Sequence, residues 1–205
     1  YWQICPLVPT GYGDSTYQGF SAFAGNPNLI DLDLLVESEL LTREVLTPLE
    51  GMPESHVDFG LLIPRRTAIL YGAWKHFSAG RVTGFSMDDF NDFRHSNSQW
   101  LDDFCLFMVL KNIHQGRSWD QWDDRYRLRD RAALESVKGN YSEEIGFHGF
   151  LQFLFHQQWR SVKAAANGRG IRIIGDLPIF IAFDSSDCWA RPELFQLDEN
   201  RHPTS

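Results

Sequence analysis

The stretch Ile171-Arg172-Ile173-Ile174-Gly175-Asp176-Leu177-Pro178-Ile179-Phe180-Ile181 decides the fold class. It alternates briefly and then runs continuously apolar, the pattern of a strand buried on both faces of a parallel sheet. Upstream, helical spacing begins at Ser142, with Glu143 and Glu144 in the first turn, where carboxylates complement the helix dipole. It ends near Gly168 or Gly170, where a left-handed cap is available. A helix that passes through a Gly-containing turn into such a strand is the second half of a β-α-β unit, so the spacing predicts an α/β fold. Asp176 then arrives at the carboxyl end of the strand, the end that faces ligands in parallel α/β folds. Strand position alone leaves two readings open: a site carboxylate, or a structural Asp that hydrogen-bonds a neighbouring Arg or caps a loop.

Working outward, Trp2 to Leu7 is a short apolar run that predicts a second buried strand, followed by a long loop dense in Gly, Ser, Tyr and Phe. Loops of that length in a compact domain are usually functional. Residues 30–49 are apolar and acidic at helical spacing until Pro48 and Pro53 stop them. Ser86, with Asp89 three residues on, predicts a capped helix start. That helix should run towards His114, end at Gly116, and bury a wide stripe that includes Phe93, Trp100, Phe104 and Phe107.

The chain has 205 residues, enough for one domain with a core and short of the roughly 250 of an eight-stranded barrel. Its ends, Tyr1-Trp2-Gln3-Ile4 inside an apolar run and Pro203-Thr204-Ser205, read as cut. A net charge of −8 argues against a nucleic-acid partner, which needs clustered Lys and Arg, and the basic residues from Arg125 to Arg131 are interleaved with Asp123, Asp124 and Asp130. No apolar run approaches the roughly 18 residues of a membrane helix, so no membrane partner is expected. Cys5, Cys105 and Cys188 are odd in number and far apart, which predicts free thiols in a reducing compartment.

The loop Gly11-Tyr12-Gly13-Asp14-Ser15-Thr16-Tyr17 sets aromatics beside short polar groups. Sugars need that combination, since their C–H faces stack on rings while their hydroxyls seek fixed partners. A tight turn with buried tyrosines has the same letters. His148, Gln152 and His156 share one helix face, but no adjoining Glu or third ligand completes a metal site, so hydrogen-bonded core or interface histidines are the expectation. Asp184-Ser185-Ser186-Asp187 lacks the spacing of a nucleophile elbow or a calcium loop and predicts an N-cap and turn.

The run Tyr1-Trp2-Gln3-Ile4-Cys5-Pro6-Leu7-Val8-Pro9-Thr10-Gly11-Tyr12-Gly13-Asp14-Ser15-Thr16-Tyr17-Gln18, continued by Phe20-Ser21-Ala22-Phe23-Ala24-Gly25-Asn26-Pro27, closely resembles a segment of the 4-alpha-glucanotransferase (amylomaltase, or disproportionating enzyme) family. Residues 171–187 with Trp189 and Pro192-Glu193-Leu194-Phe195 are similar to a second family block, as are Phe147-His148, Phe150, Gln152 and Gln158-Trp159. The resemblance implies part of a (β/α) TIM-type barrel of the alpha-amylase clan with helical insertions. Residues 1–30 would be a barrel strand and substrate loop, 31–141 a mainly helical insertion, and 142–205 a helix, barrel strand and following loop. It implies transfer of alpha-1,4-glucan segments in maltodextrin, starch or glycogen metabolism, by an Asp nucleophile and a Glu acid/base. Both would lie beyond this chain, which lacks the family's Arg-x-Asp-His-Phe-Arg run, so no catalytic residue is expected here.

By the same resemblance Tyr17 stacks on the sugar next to the scissile bond, with Asp14 and Ser15 as hydrogen-bonding neighbours. Tyr12 matches a tyrosine of a secondary glucan site, and Asp176 supports an active-site arginine. The implied partners are alpha-1,4-glucans and maltooligosaccharides; no cofactor and no metal are implied, and the implied location is cytoplasmic, an organelle-targeting segment aside. Thr16 stands where the family usually has Pro, while Asn28 and Ile63 stand where aromatics are common. The alternatives are an alpha-glucan hydrolase of the same clan and a non-catalytic glucan-binding module.

Overall fold

The structure is a computed structural model and describes residues 1–80, 84–176 and 180–204, apart from the side chain of Tyr12. Two strands, β1 (Trp2–Gln3) and β2 (Ile173–Ile174), pair in parallel with Trp2 opposite Ile173 and Gln3 opposite Ile174. The ladder continues at both ends, where Trp2 N donates to Arg172 O at 2.9 Å and Ile4 N to Ile174 O at 3.0 Å. The parallel pairing expected from the sequence is present; the expected burial is not. Trp2 and Ile174 are each 46 % exposed, because nothing among the described residues covers both faces of the pair. The proposed continuation of the second strand through Ile179 lies outside the described residues.

The connection between the strands is helical. It comprises α1 (Leu32–Glu37), α2 (Phe59–Ser78), α3 (Met87–Ser96), α4 (Ser98–Ile113), α5 (Asp124–Arg127), α6 (Arg131–Asn140) and α7 (Ser142–Gly168), and α8 (Ser186–Ala190) follows β2. α7 has the expected start and end. Its buried stretch from Gly146 to Phe155 packs on α2, α3, α4 and α6. Gly146 is required there, since a Cβ would run into the indole of Trp74.

Two expectations are corrected. The helix expected from Ser86 to His114 is two helices, broken at Asn97, whose side-chain amide donates to Phe93 O at 2.8 Å and whose Oδ1 accepts from Trp100 Nε1 at 3.2 Å. A short polar side chain that bonds the backbone beside it competes with helix continuation. The expected helix over residues 30–49 ends at Glu37: Ser38 Oγ donates to Leu34 O and the chain reverses through Glu39 at φ 60°. That reversal buries Leu40 and Leu41, whose N–H groups both donate to Leu35 O.

The core has three joined regions. One gathers Leu35, Leu70, Phe77, Phe150 and Phe153 between α1, α2, α3 and α7. A second surrounds Phe107, Trp119, Trp122 and Trp189, and a third joins Ala24 to Leu101, Phe104 and Cys105. α4 belongs to the last two and is buried nearly all round, so it acts as a central pin rather than an amphipathic cover.

Candidate functional site

The loop after β1 is closed upon itself. Gly11 N donates to Gln18 O at 2.9 Å and Phe20 N to Pro9 O at 3.1 Å, and Thr10 faces Gly19 in an antiparallel bridge. The close approach requires glycine at 11 and 19, because a Cβ would meet the Gln18 carbonyl or the Val8 side chain. The tip turns through Gly13 at φ 67° and Asp14 at φ 54°. Asp14 is exposed at that tip. Ser15 accepts Tyr17 N on its Oγ at 3.2 Å, so its hydroxyl builds the loop.

Tyr17 stands 50 % exposed, with its hydroxyl donating to Asp176 Oδ2 at 2.6 Å. The loop beyond one strand and the carboxylate just past its neighbour are thereby joined at the carboxyl end of the parallel pair. The hydrogen bond to Asp176 raises the Tyr17 phenol above its ordinary range, so the ring stays neutral and its O–H orientation is set. The buried-tyrosine reading of this loop does not describe Tyr17. Of the other residues singled out, Asp14 and Ser15 sit in the same loop without a described contact to Asp176, and the side chain of Tyr12 lies outside the described residues.

Further anchors fix the loop, and sequence reasoning found little of them. Phe20 O accepts both Ser186 N at 2.8 Å and Ser186 Oγ at 3.1 Å. Ala22 N donates to Asp187 Oδ2 at 3.1 Å, and burial pushes the Asp187 carboxyl above the usual carboxylate range. Ser185 caps α8 by accepting Cys188 N, which is the N-cap and turn expected of this segment. Beneath Phe20, buried Lys111 donates to Asp184 Oδ2 at 2.6 Å, Gly116 O at 2.8 Å and Arg117 O at 3.1 Å, with its ammonium 5.0 Å from the Phe20 ring centroid. On α7, Gln152 takes both backbone groups of Gly25 (2.7 and 2.9 Å), and Gln158 those of Asp31 at the same two distances. Uncharged Gln on an otherwise aromatic helix face was the available signal.

His148 and His156 pack against aromatic rings, and the hydrogen bonding expected of these histidines is not met at His156, whose buried Nε2 has no partner among the described residues. Burial pushes His148 down to about 4 and also lowers His156, which lies 5.1 Å from the Phe93 ring. Among the described residues no group of three or more His, Cys, Asp and Glu is placed to hold a metal ion. Cys5, Cys105 and Cys188 are free. No helix among the described residues is long and apolar enough to cross a membrane.

This arrangement can be compared with known proteins. The family model for 4-alpha-glucanotransferase matches residues 1–201. A 4-alpha-glucanotransferase of Thermus thermophilus is 47 % identical over 204 residues, covering 100 % of this chain and 40 % of that protein. One of Solanum tuberosum, described as chloroplastic/amyloplastic, is 33 % identical over 208 residues, covering 98 % and 35 %. Among solved structures, an amylomaltase from Streptococcus agalactiae in complex with acarbose superposes with a TM-score of 0.91 at 36 % identity, over 98 % of this chain and 40 % of that one. The chain thus spans about 40 % of the length of these bacterial relatives. With the family model running through the loop, the helices and the strand that build the Tyr17–Asp176 junction, this chain belongs to the 4-alpha-glucanotransferase family.

Proposed function

We propose that the full-length protein is a 4-alpha-glucanotransferase that moves alpha-1,4-glucan segments to acceptor sugars, and that this chain contributes one wall of its sugar site. The observation that carries the reading is the 2.6 Å hydrogen bond from Tyr17 to Asp176, which fixes an exposed ring beside a carboxylate at the carboxyl end of a parallel pair. Carboxyl ends of strands are where a (β/α) barrel holds its site. β1 and β2 are read as neighbouring strands of that barrel, with residues 31–141 as its helical insertion and 142–205 as the returning helix, strand and loop. The exposed faces of the pair support this, because further strands and helices would cover them.

In the reaction a carboxylate nucleophile beyond this chain bonds to the anomeric carbon as the glycosidic C–O bond breaks, while a carboxylic acid protonates the departing oxygen. An acceptor hydroxyl then attacks the glycosyl-enzyme, gives its proton back to the acid/base and frees the nucleophile. Within this chain Tyr17 supplies a stacking face for the reacting sugar, and Asp176 holds that ring by its hydroxyl. Asp14 and Ser15 border the site, the latter by shaping the loop. No step calls for a cofactor or a metal. Neutral glucans suit an acidic chain of net charge −8 better than a polyanion would, and the free cysteines suit a reducing, cytoplasmic or plastid-like compartment.

The test is the full-length protein with maltotriose. Longer maltodextrins plus glucose are expected; glucose release with no elongation would mean the hydrolase, and no turnover the binding module. Tyr17→Ala should lower transfer on the order of tenfold, part of it in kcat, with an unchanged melting temperature, because an exposed platform adds stacking to the distorted sugar. A large fall in melting temperature with normal turnover per folded molecule would remove the binding role.

A further inference from the structure

Tyr17 and Asp176 belong to two segments that a third part of the chain also holds, and Lys111 of α4 stands where the three meet. Its side chain is 6 % exposed, and an ammonium has three protons to place. They go to Asp184 Oδ2 at 2.6 Å, Gly116 O at 2.8 Å and Arg117 O at 3.1 Å. Asp184 is used on both oxygens, since Oδ1 accepts Trp119 N at 3.3 Å. Trp119 in turn donates its indole N–H to Phe183 O at 2.7 Å and packs on the Phe183 ring at 4.9 Å. The segment after β2 is thereby pinned to the helical connection at Phe183 and Asp184.

The same ammonium lies 5.0 Å from the centroid of the Phe20 ring, within reach of a cation–π contact. Phe20 is where the substrate loop closes: its N–H donates to Pro9 O at 3.1 Å, and its carbonyl accepts both groups of Ser186 at 2.8 and 3.1 Å. Its ring also meets Phe107 of α4 at 6.2 Å. Between this closure and Tyr17 the loop has little slack, because Gln18 O is bonded back to Gly11 N at 2.9 Å. A shift of Phe20 therefore moves the Tyr17 ring relative to Asp176. A buried ion pair is weak evidence for stability, since the loss of water around both charges offsets their attraction and apolar replacements are often as stable. What an ammonium with three fixed acceptors adds is a defined geometry between the elements that carry them.

We infer that Lys111 is a positioning residue for Tyr17, its ammonium setting the loop through Phe20 and the segment after β2 through Asp184, so that the phenol hydroxyl meets Asp176. Lys111 itself touches no sugar and acts only through Tyr17. Its effect on glucan transfer rests on the transferase reading above; its effect on the Tyr17–Asp176 hydrogen bond does not.

The test takes the full-length protein and its Lys111→Met and Asp184→Asn variants, each with and without Tyr17→Ala. It measures maltotriose transfer, melting temperature and the ultraviolet titration of the Tyr17 phenol, read as the difference from Tyr17→Phe. Lys111→Met is expected to lower kcat per folded molecule on the order of tenfold with KM changed less than about twofold, because a displaced ring costs orientation of the reacting sugar rather than ground-state binding. Asp184→Asn, which keeps the shape of the partner and carries the test where Lys111→Met does not fold, should fall in the same direction by less. In the Tyr17→Ala background neither change should lower kcat further, the non-additivity of residues that act through one group. The phenol should titrate below its wild-type value, as the hydrogen bond to Asp176 that raises it is loosened. Losses that multiply in full with that of Tyr17→Ala, or a lower melting temperature with an unmoved phenol, overturn the positioning role, while transfer by the wild type leaves the transferase reading in place. A wild-type protein that elongates no maltotriose overturns the transferase reading, and the phenol titration then decides for or against Lys111 by itself.

Discussion

Gly25 is gripped by one side chain on both of its backbone groups: Gln152 Oε1 accepts its N–H at 2.7 Å and Gln152 Nε2 donates to its carbonyl at 2.9 Å. A Cβ at this position would overlap the ring of Phe155 one turn along the same helix. Gly25→Ala must therefore displace the aromatic core or the loop, and overpacking of this kind costs about 1–3 kcal/mol. The expected outcome is a lowered urea midpoint together with, on the proposed transferase reading, weaker glucan transfer per folded molecule, because residues 17–25 move with the loop. Wild-type stability in Gly25→Ala would show that the packing is slack. Residues of this kind divide by how local their cause is. Tyr17 and Asp176 were legible because strand-end position and resemblance both pointed to them. Lys111 was not, because its carboxylate partner is Asp184, 73 residues away, and nothing near it in sequence announces a buried ion pair.

At the scale of elements, α3 tests how far local chemistry sets a boundary. Ser86 Oγ accepts Asp89 N at 2.9 Å and donates to Asp89 Oδ2 at 2.7 Å, while Asp88 and Asp89 place negative charge on the first turn. Phe85 and Phe90, on either side of the cap, meet on the ring of Phe153 at 5.9 and 5.8 Å. Ser86→Ala should cost about 1 kcal/mol and Ser86→Gly only a few tenths, since the exposed N-cap acts through its side-chain oxygen and tolerates glycine. Equal losses in urea unfolding would place the cost in packing instead. Caps and dipole-matched first turns are local, which is why the starts at Ser86 and Ser142 could be read. The breaks at Asn97 and Ser38 could not, because each serves a tertiary need: one turns Trp100 towards Phe23, the other brings Leu40 and Leu41 inside. α2 went unread because Pro64 and the run Leu61-Leu62-Ile63 obscure a helical period, although Asp58 caps it by accepting Leu61 N at 3.1 Å.

Across the whole molecule, the parallel topology was legible and the exposure of its sheet was not. A continuous apolar strand encodes burial in the complete fold, and this chain spans about 40 % of its bacterial relatives' length. In the helical core, His148 is the group to follow as pH falls. Its ring sits mostly within α7's packed face, beside Phe147, and burial lowers its pKa from 6.5 to about 4. The sign follows from proton uptake: between pH 6.5 and 4 the unfolded chain holds a proton on this imidazole that the folded chain refuses, so stability falls as pH falls through that window. His156 adds to the same slope, being lowered for the same reason. Asp187 opposes it, because a carboxyl raised by burial makes the folded state the better proton binder at the acid end. Allowing for the part of the His148 ring that still reaches solvent, its share between pH 7 and pH 5 is on the order of 1 kcal/mol. His148→Gln, which removes the titration and keeps a polar side chain, should lose less stability than the wild type over that interval when urea unfolding of the full-length protein is compared at the two pH values. Identical losses in the two proteins would mean that His148 accepts its proton without unfolding, and that the acid response originates elsewhere.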